Sequence, residues 1–329
     1  MKHQKYPRAT CQRDVNDHMR RASRVLLSTA RRARGGSAPR ASTRVAVDRG
    51  ALLLGCGAAS LTAATIAALS LTVPLVTSAP ACCAPAVASP PSPAALAKAD
   101  AMFDNSNAHT REELYAFLLA LRRDDGDAEP SASLAWRLAR AAYNLAETLT
   151  DDKERRRALH YAALEAARAA LEADATSFKA HSWVGIALSK VGDYEGDKAT
   201  IKNSFVVQQH WLKAVELNPR DAYGFHLLGQ WAFAIADLAY YKRVVASVVF
   251  ATPPEASFEE ALEFFTMCEE LEPGATKANG LMMARTLRKL DRQAEAVDTL
   301  RRLLQAPSRD ADDRAAEADA RALLKEIFK

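Results

Sequence analysis

The residue types that commonly do chemistry are present in this chain, but they are dispersed. A Gly-Cys-Gly triplet at 55–57 lacks the third glycine of a dinucleotide-binding loop, and no phosphate loop, HExxH or GxSxG motif occurs. Four histidines fall on helical patterns without a second His or Cys at metal-ligand spacing, and packing or capping explains them best: His160, His181, His210 and His226. The sequence therefore predicts a protein that is not an enzyme and that holds no cofactor or metal.

Composition and cysteine usage favour a mostly helical fold. The 329 residues are 49% apolar and 26% charged, as in folded proteins, but only 7% aromatic. Propellers and sandwiches need more strand-forming residues and more turns than this, so one or two helical domains are expected. Five scattered cysteines form no CxxC pair and no disulfide scaffold, which indicates reducing surroundings: Cys11, Cys56, Cys82, Cys83 and Cys268.

Charge divides the chain into a basic leader and an acidic body. Residues 1–49 hold 13 Lys/Arg against 3 Asp, a net charge of +10, whereas the remainder holds 31 Lys/Arg against 37 Asp/Glu, a net charge of −6. The leader is too hydrophilic and too often interrupted by glycine to build a core, so it is predicted to be disordered. Its Arg-rich, acid-poor composition also resembles a mitochondrial presequence.

An uncharged, apolar segment at 50–78 follows the leader. Its run at 51–76 would reach about 39 Å as a helix, enough to cross a hydrocarbon layer of about 30 Å with tilt. Three interpretations stay open: a membrane anchor, part of a targeting sequence, or an Ala-rich leader without order. A Pro/Ala-rich linker at 79–93 would then separate it from the folded body, and its Cys82 and Cys83 are either acylation sites or ordinary linker residues.

Residues 94–329 show a repeated pattern of helical hairpins. Three segments end a helix in similar ways, at 170–175, 214–219 and 268–273. Each precedes a helical pattern with a small residue at its tight-packing position, namely Gly185, Gly229 and Ala284. This repeat pattern predicts an all-α, tetratricopeptide-like solenoid. Equivalent positions are 44, 54 and 35 residues apart against a consensus of about 34, so some helices or loops must be lengthened.

Local signals place the individual helices. Thr110 with Glu113, and Ser257 with Glu260, have the spacing of capping boxes. Further expectations are an extra hairpin from 96–103 and 111–123, a lengthened helix over 198–217, one long or kinked helix over 222–250, and a final capping helix over 315–328.

Helical spacing also selects candidate binding residues. A solenoid offers a concave groove lined by the first helix of each hairpin, on which a protein partner can lie. A second candidate surface is a basic patch suited to an acidic partner, whereas the acidic body disfavours general nucleic-acid binding. The groove candidates are Arg137, Lys179, Ser182, His226, Gln230 and Arg285. The basic-patch candidates are Lys198, Lys202, Lys213, Lys242 and Arg243.

Several segments within the repeats carry a family resemblance. Four of them follow one another along the chain: Trp-Arg-Leu-Ala-Arg-Ala at 136–141, Val-Gly-Asp-Tyr-Glu-Gly at 191–196, Glu-Leu-Asn-Pro at 216–219 and Phe-Ala-Thr-Pro-Pro at 250–254. Together these segments resemble the regulator of microtubule dynamics family over about residues 96 to 305. The resemblance implies a non-enzymatic protein of the cytoplasm that associates with microtubules, spindle and spindle poles and supports chromosome segregation.

The same resemblance implies an alternative, because some relatives are mitochondrial. One similar member is held in the outer mitochondrial membrane by an amino-terminal helix and works at membrane contacts, with lipid binding attributed to its repeats. The run at 51–76 lies where such an anchor would lie. In this alternative, aromatic residues of 222–250 would help to wall an apolar cavity: Trp231, Phe233, Tyr240 and Tyr241.

Overall fold

The computed structural model of the chain describes residues 91–105, 110–124, 131–238, 255–274 and 276–329. These ranges are all-helical and contain no strand, as the composition predicts. Their helices are α1 (Pro93–Asp104), α2 (Arg111–Asp124), α3 (Ala132–Thr148), α4 (Lys153–Ala173), α5 (Phe178–Glu195), α6 (Asp197–Leu217), α7 (Ala222–Ala236), α8 (Phe258–Leu271), α9 (Lys277–Lys289), α10 (Gln293–Gln305) and α11 (Ala311–Ile327).

Consecutive helices pack against each other as hairpins. The pairs are α3 with α4, α5 with α6, α7 with α8, and α9 with α10, while α1 and α2 form the predicted extra pair upstream. Each pair also packs on the next one, so that one apolar core runs from α1 to α8 and a second lies among α8 to α11. The tetratricopeptide-like arrangement of hairpins is therefore confirmed.

Side-chain caps set the starts of the helices. The Thr110 hydroxyl accepts from the Glu113 N–H at 3.1 Å, and the Thr110 N–H donates to the Glu113 carboxylate at 3.0 Å, which completes the predicted capping box. Ser257 likewise accepts from the Glu260 N–H at 3.1 Å at the start of α8. These caps satisfy backbone donors that the first turn of a helix leaves unpaired.

Two of the predicted small residues allow close helix approach. A Cβ atom at Gly185 would overlap the indole of Trp211 on α6, and one at Gly229 would lie 2.6 Å from the ring of Phe265 on α8. The Trp211 indole N–H also donates to the Ser182 carbonyl at 3.1 Å. The large residue of each second helix thus occupies space that glycine leaves in the first helix.

The lengthened helix of the second hairpin is α6, with 21 residues over Asp197–Leu217. A single residue, Gly196, separates it from α5 and has φ of 90° and ψ of 173°. An L-residue rarely adopts a positive φ of this kind, so glycine is required for this one-residue turn.

Of the long or kinked helix expected over 222–250, the structure describes α7, which ends at Ala236. Asp237 is its C-cap, and the Asp237 N–H closes the last turn on the Phe233 carbonyl at 2.9 Å. The segment 239–250 lies outside the described residues, together with Tyr240, Tyr241, Lys242 and Arg243. The expected leader, the apolar segment and the linker up to residue 90 also lie outside them.

The carboxyl-terminal helix α11 packs on the last hairpin, as expected of a capping helix. Small apolar residues of α11, such as Ala316 and Ala320, pack in the core, and the buried cation Lys277 of α9 adds polar contacts. The Lys277 ammonium donates to the Ala306 carbonyl at 2.7 Å and to the Glu317 carboxylate at 3.2 Å, with a side chain only 5% exposed. None of the helices in the described ranges is both long and apolar enough to cross a bilayer.

Candidate functional site

Three of the groove candidates are ion-paired cations on different hairpins. Arg137 donates to both carboxylate oxygens of Asp100, with the shortest contact at 2.6 Å, so α3 is clamped to α1. Lys179 lies 3.4 Å from the carboxylate of Asp221, and Arg285 donates to Asp319 on α11 at 2.9 Å. Each pairing links neighbouring hairpins.

Two other groove candidates, Ser182 and His226, are only 3% exposed. Ser182 donates to the Phe178 carbonyl at 2.9 Å within its own helix. His226 Nδ1 lies 3.1 Å from the side-chain oxygen of Asn279, and burial lowers the pKa of this imidazole. Neither residue therefore offers a surface to a partner, and His226 instead joins α7 to α9.

The remaining groove candidate, Gln230, lies at a cavity of about 380 Å³ between α3, α5, α6 and α7. Its apolar wall includes Trp211 of α6 and Trp231 of α7. The main apolar lining residues are Ile201, Val207, Trp211, Trp231, Ile235 and Leu238. Trp231 thus lines a cavity, as the lipid-binding alternative expects, whereas Phe233 lies elsewhere, beside Arg285 and Arg288.

Polar side chains without a partner among the described residues also line this cavity. Tyr143, Asp193 and Gln230 line it, and within the described ranges their side chains make no hydrogen bond or ion pair. Lys190 lines it as well, but its ammonium lies 3.6 Å from the carboxylate of Glu147. Burial raises the pKa of Tyr143, so its hydroxyl stays protonated and able to donate.

The basic-patch candidates of the described part lie on one side of α6. Lys198 and Lys202 are one turn apart, and Lys213 follows three turns later, about 17 Å further along the axis. Lys198 and Lys202 are exposed, and the Lys213 ammonium lies 3.1 Å from Glu216. Val206, an exposed large apolar residue, stands on the same side of the helix. These four residues form a stripe on α6, which we call the lysine stripe.

Sequence reasoning missed two histidine contacts, because their partners lie on other helices. His181 and His210 meet through their Nδ1 atoms at 2.9 Å, and His181 Nε2 lies 3.2 Å from the Ala175 carbonyl. Desolvation lowers the pKa of both, and that of His210 falls to about 4 because His181 and Arg168 add to the effect. The pair is therefore neutral at pH 7, with His210 donating to His181.

The second missed contact is a buried network around His160, which is fully buried. His160 Nε2 lies 3.0 Å from the Glu147 carboxylate, and its Nδ1 lies 2.7 Å from the Tyr194 hydroxyl. The hydrogen bond from His160, aided by the charges of Lys190 and Arg156, lowers the pKa of Glu147 to about 2. This network joins α3, α4 and α5 and exposes no reactive group of its own.

The described residues contain no group of three or more His, Cys, Asp or Glu side chains arranged to hold a metal ion. Their one cysteine, Cys268, is a buried free thiol, and burial raises its pKa to about 12. A thiol with so high a pKa is a poor nucleophile, since the thiolate is the reactive form. The accessible features of this part of the chain thus include the cavity beside Gln230 and the lysine stripe.

Comparison with known proteins relates this chain to one family. The family model described as "Regulator of microtubule dynamics protein 1-3" matches residues 95–328. Over 213 residues the chain is 39% identical to "Regulator of microtubule dynamics protein 1" of Pongo abelii, covering 65% of this chain and 66% of that protein. The protein of the same name from Mus musculus is 37% identical over 230 residues, or 70% of this chain and 72% of that protein.

More distant similarity extends to a second member and to solved structures. "Regulator of microtubule dynamics protein 3" of Xenopus laevis is 29% identical over 219 residues, or 67% of this chain and 46% of that protein. The chain therefore spans less than half of that relative and about two thirds of the first relative above. The crystal structure of a thermophilic TPR protein from Thermus thermophilus is similar to 70% of this chain and to 98% of its own chain, with a TM-score of 0.49 and 14% identity.

Proposed function

Because the chain belongs to the regulator of microtubule dynamics family, we propose that it is a non-enzymatic, microtubule-associated adaptor whose helical repeats bind protein partners. In this proposal it acts in the cytoplasm, on microtubules and at spindle poles, and it supports chromosome segregation. The observation that supports a particular contact surface for microtubules is the lysine stripe, with three lysines and one valine on a single side of α6.

Charge complementarity is the physical basis for this surface. The microtubule surface is acidic, and exposed lysines attract it over a Debye length of about 8 Å at physiological ionic strength. The chain after residue 49 has a net charge of −6, so a polyanion has no general reason to bind it. Within the repeats, attraction must then come from a local patch, whereas the leader of net charge +10 would attract a polyanion by itself. Both contributions should weaken as salt increases.

Co-pelleting of residues 94–329 with microtubules tests this proposal, because the leader's net charge of +10 would attract an acidic surface by itself. The stripe variant carries Lys198→Glu, Lys202→Glu and Lys213→Glu, and a second variant adds Lys242→Glu and Arg243→Glu. A matched control reverses three exposed cations of other helices: Lys153, Arg301 and Lys325. We expect the stripe variant to bind at least about 10-fold more weakly than the control, since each lost contact contributes about 0.5 to 1 kcal/mol.

Two results would count against the proposal in different ways. Undiminished pelleting of the five-substitution variant would reject this surface as the contact. Absence of pelleting by the unmodified chain at low salt would reject the microtubule activity itself.

A second candidate function is a membrane-anchored tether or lipid-binding protein at mitochondrial contacts. The uncharged run at 51–76 and the apolar cavity favour it. Imaging the intact chain beside one that lacks residues 1–93 tests the anchor. Release from mitochondria on truncation would support it, and an unchanged distribution would reject it.

A further inference from the structure

The first turns of the lengthened helix α6 form part of the wall of the cavity beside Gln230. Thr200, Ile201 and Ser204 belong to the first turns of α6, and all three line the cavity. The opposite wall comes from α7, through Trp231 and Ile235. The additional residues of this repeat therefore build a pocket beside the first helices of two hairpins, α5 and α7.

Some polar side chains that line the cavity already form hydrogen bonds within the chain, and others are available to a ligand. The hydroxyls of Ser204 and Thr200 donate to carbonyls within the chain, at 2.7 and 3.0 Å, and the Trp231 indole N–H donates to the Ser204 carbonyl at 2.9 Å. By contrast, Tyr143 and Gln230 hold polar groups that no described residue satisfies. A ligand with an apolar body and backbone-like polar groups would satisfy both.

Charge at the cavity is unbalanced in one direction. The Lys190 ammonium lies 3.6 Å from Glu147, whereas Asp193 is exposed and forms no ion pair with any described residue. An occupant with a positive charge beside its apolar part would complement Asp193.

We propose that this cavity is an anchor pocket for a peptide segment of a protein partner, filled by one large apolar side chain (Leu, Phe or Trp) with an adjacent Lys or Arg that meets Asp193. The inference rests on the proposed adaptor function and names the chemistry of its partner. A volume of about 380 Å³ lies within the range of about 300 to 1,000 Å³ that is usual for binding pockets. A buried apolar anchor is also the group that contributes most to binding at typical interfaces.

Selection from a random library of 12-residue peptides displayed on phage, with the full-length chain as bait, tests the occupant. The enriched peptides should share a large apolar residue next to Lys or Arg. A labelled enriched peptide then gives dissociation constants by fluorescence polarisation for the following variants.

Ala234→Trp is the decisive variant, because Ala234 is exposed and lines the cavity, so an indole there fills the pocket without entering the core. It should weaken the peptide at least about 10-fold. Tyr143→Phe should weaken it about 5-fold through one lost hydrogen bond. Asp193→Lys should weaken it about 5-fold and reverse the preference for a basic neighbour, whereas the matched control Asp298→Lys on α10 should change nothing.

Three outcomes would overturn the pocket. The first is a set of enriched peptides that lack the apolar and basic pair, and the second is wild-type peptide affinity in Ala234→Trp. The third is a fluorescent lipid, taken up from phosphatidylcholine vesicles, that binds the wild type but not Ala234→Trp while both proteins still bind the peptide. Ala234→Trp should still pellet with microtubules through the lysine stripe. Failed selection with intact pelleting therefore rejects the pocket alone, and lost pelleting with intact peptide binding rejects the microtubule function alone.

Discussion

His181 and His210 face each other across the α5–α6 hairpin with their Nδ1 atoms 2.9 Å apart, which makes this hairpin sensitive to pH. The folded pKa values of both lie below the ordinary value of about 6.5 that the unfolded chain has. The charges that face the pair are Arg168 on α4 with Lys213 and Glu216 on α6, and the two cations disfavour protonation.

Stability should therefore fall as the pH falls. The unfolded chain takes up these protons first, so the stabilisation is complete above about pH 6.5 and declines towards pH 4. Because both rings are partly exposed, we expect a loss of roughly 1 to 2 kcal/mol in the free energy of unfolding. Urea unfolding of wild type and His210→Gln between pH 7 and 5 measures it, and equal pH dependence in the two proteins would contradict this account.

The Gly229–Phe265 contact predicts a strong effect from adding one methyl group. In Gly229→Ala the new Cβ would lie 2.6 Å from the Phe265 ring, so the α7–α8 hairpin must open. The expected destabilisation is about 1 to 3 kcal/mol, seen as a lower urea midpoint. Gly280→Ala is the matched control, because its Cβ would come no closer than 3.2 Å to any atom, the nearest being the terminal Cδ1 of Leu303, and it should change stability by less than about 1 kcal/mol.

Lys277→Met should loosen the carboxyl-terminal helix. The variant keeps an apolar side chain but leaves the Ala306 carbonyl and Ser308 hydroxyl without their ammonium donor, and Glu317 without one of its partners. We expect a loss of about 1 to 3 kcal/mol, with faster amide exchange in α11 than in α3. Lys325→Met on the exposed side of α11 is the control, and identical exchange in the two variants would argue against the role of Lys277.

Glu147→Gln should flatten the acid limb of the stability profile. The Glu147 pKa of about 2 lies below its unfolded value, so its stabilisation is complete above about pH 4.5 and is lost as the pH falls towards 2. The variant should unfold about 1 kcal/mol more easily at pH 7, a modest value because the carboxylate is 36% exposed. Thermal melts from pH 2.5 to 7 measure both effects, and parallel curves would exclude them.

Features that depend on neighbouring residues in sequence were predictable. The capping box at Thr110, the close-packing roles of Gly185 and Gly229, and the length of α6 all follow from local spacing, and the structure has each of them. The end of α7 at Ala236 was not predictable, because no proline or glycine occurs between it and the prolines at 253–254.

Features that depend on distant parts of the chain escaped sequence reasoning. His160 meets Glu147 and Tyr194, 13 and 34 residues away, only because the hairpins stack. For the same reason helical spacing selected Gln230 and His226 alike as groove residues. In the structure Gln230 lines the cavity, whereas His226 is buried against Asn279. The place of Tyr143 at the cavity likewise depends on the positions of four helices.

Carbodiimide cross-linking of the full-length chain to microtubules, read by mass spectrometry, tests the central claim most directly, because it joins lysine amines to carboxylates in direct contact. We expect cross-links from Lys198, Lys202 or Lys213 to acidic residues of tubulin, which disappear at high salt together with binding. Cross-links from lysines elsewhere, such as Lys153 or Lys325, with none from the lysine stripe, would contradict the account.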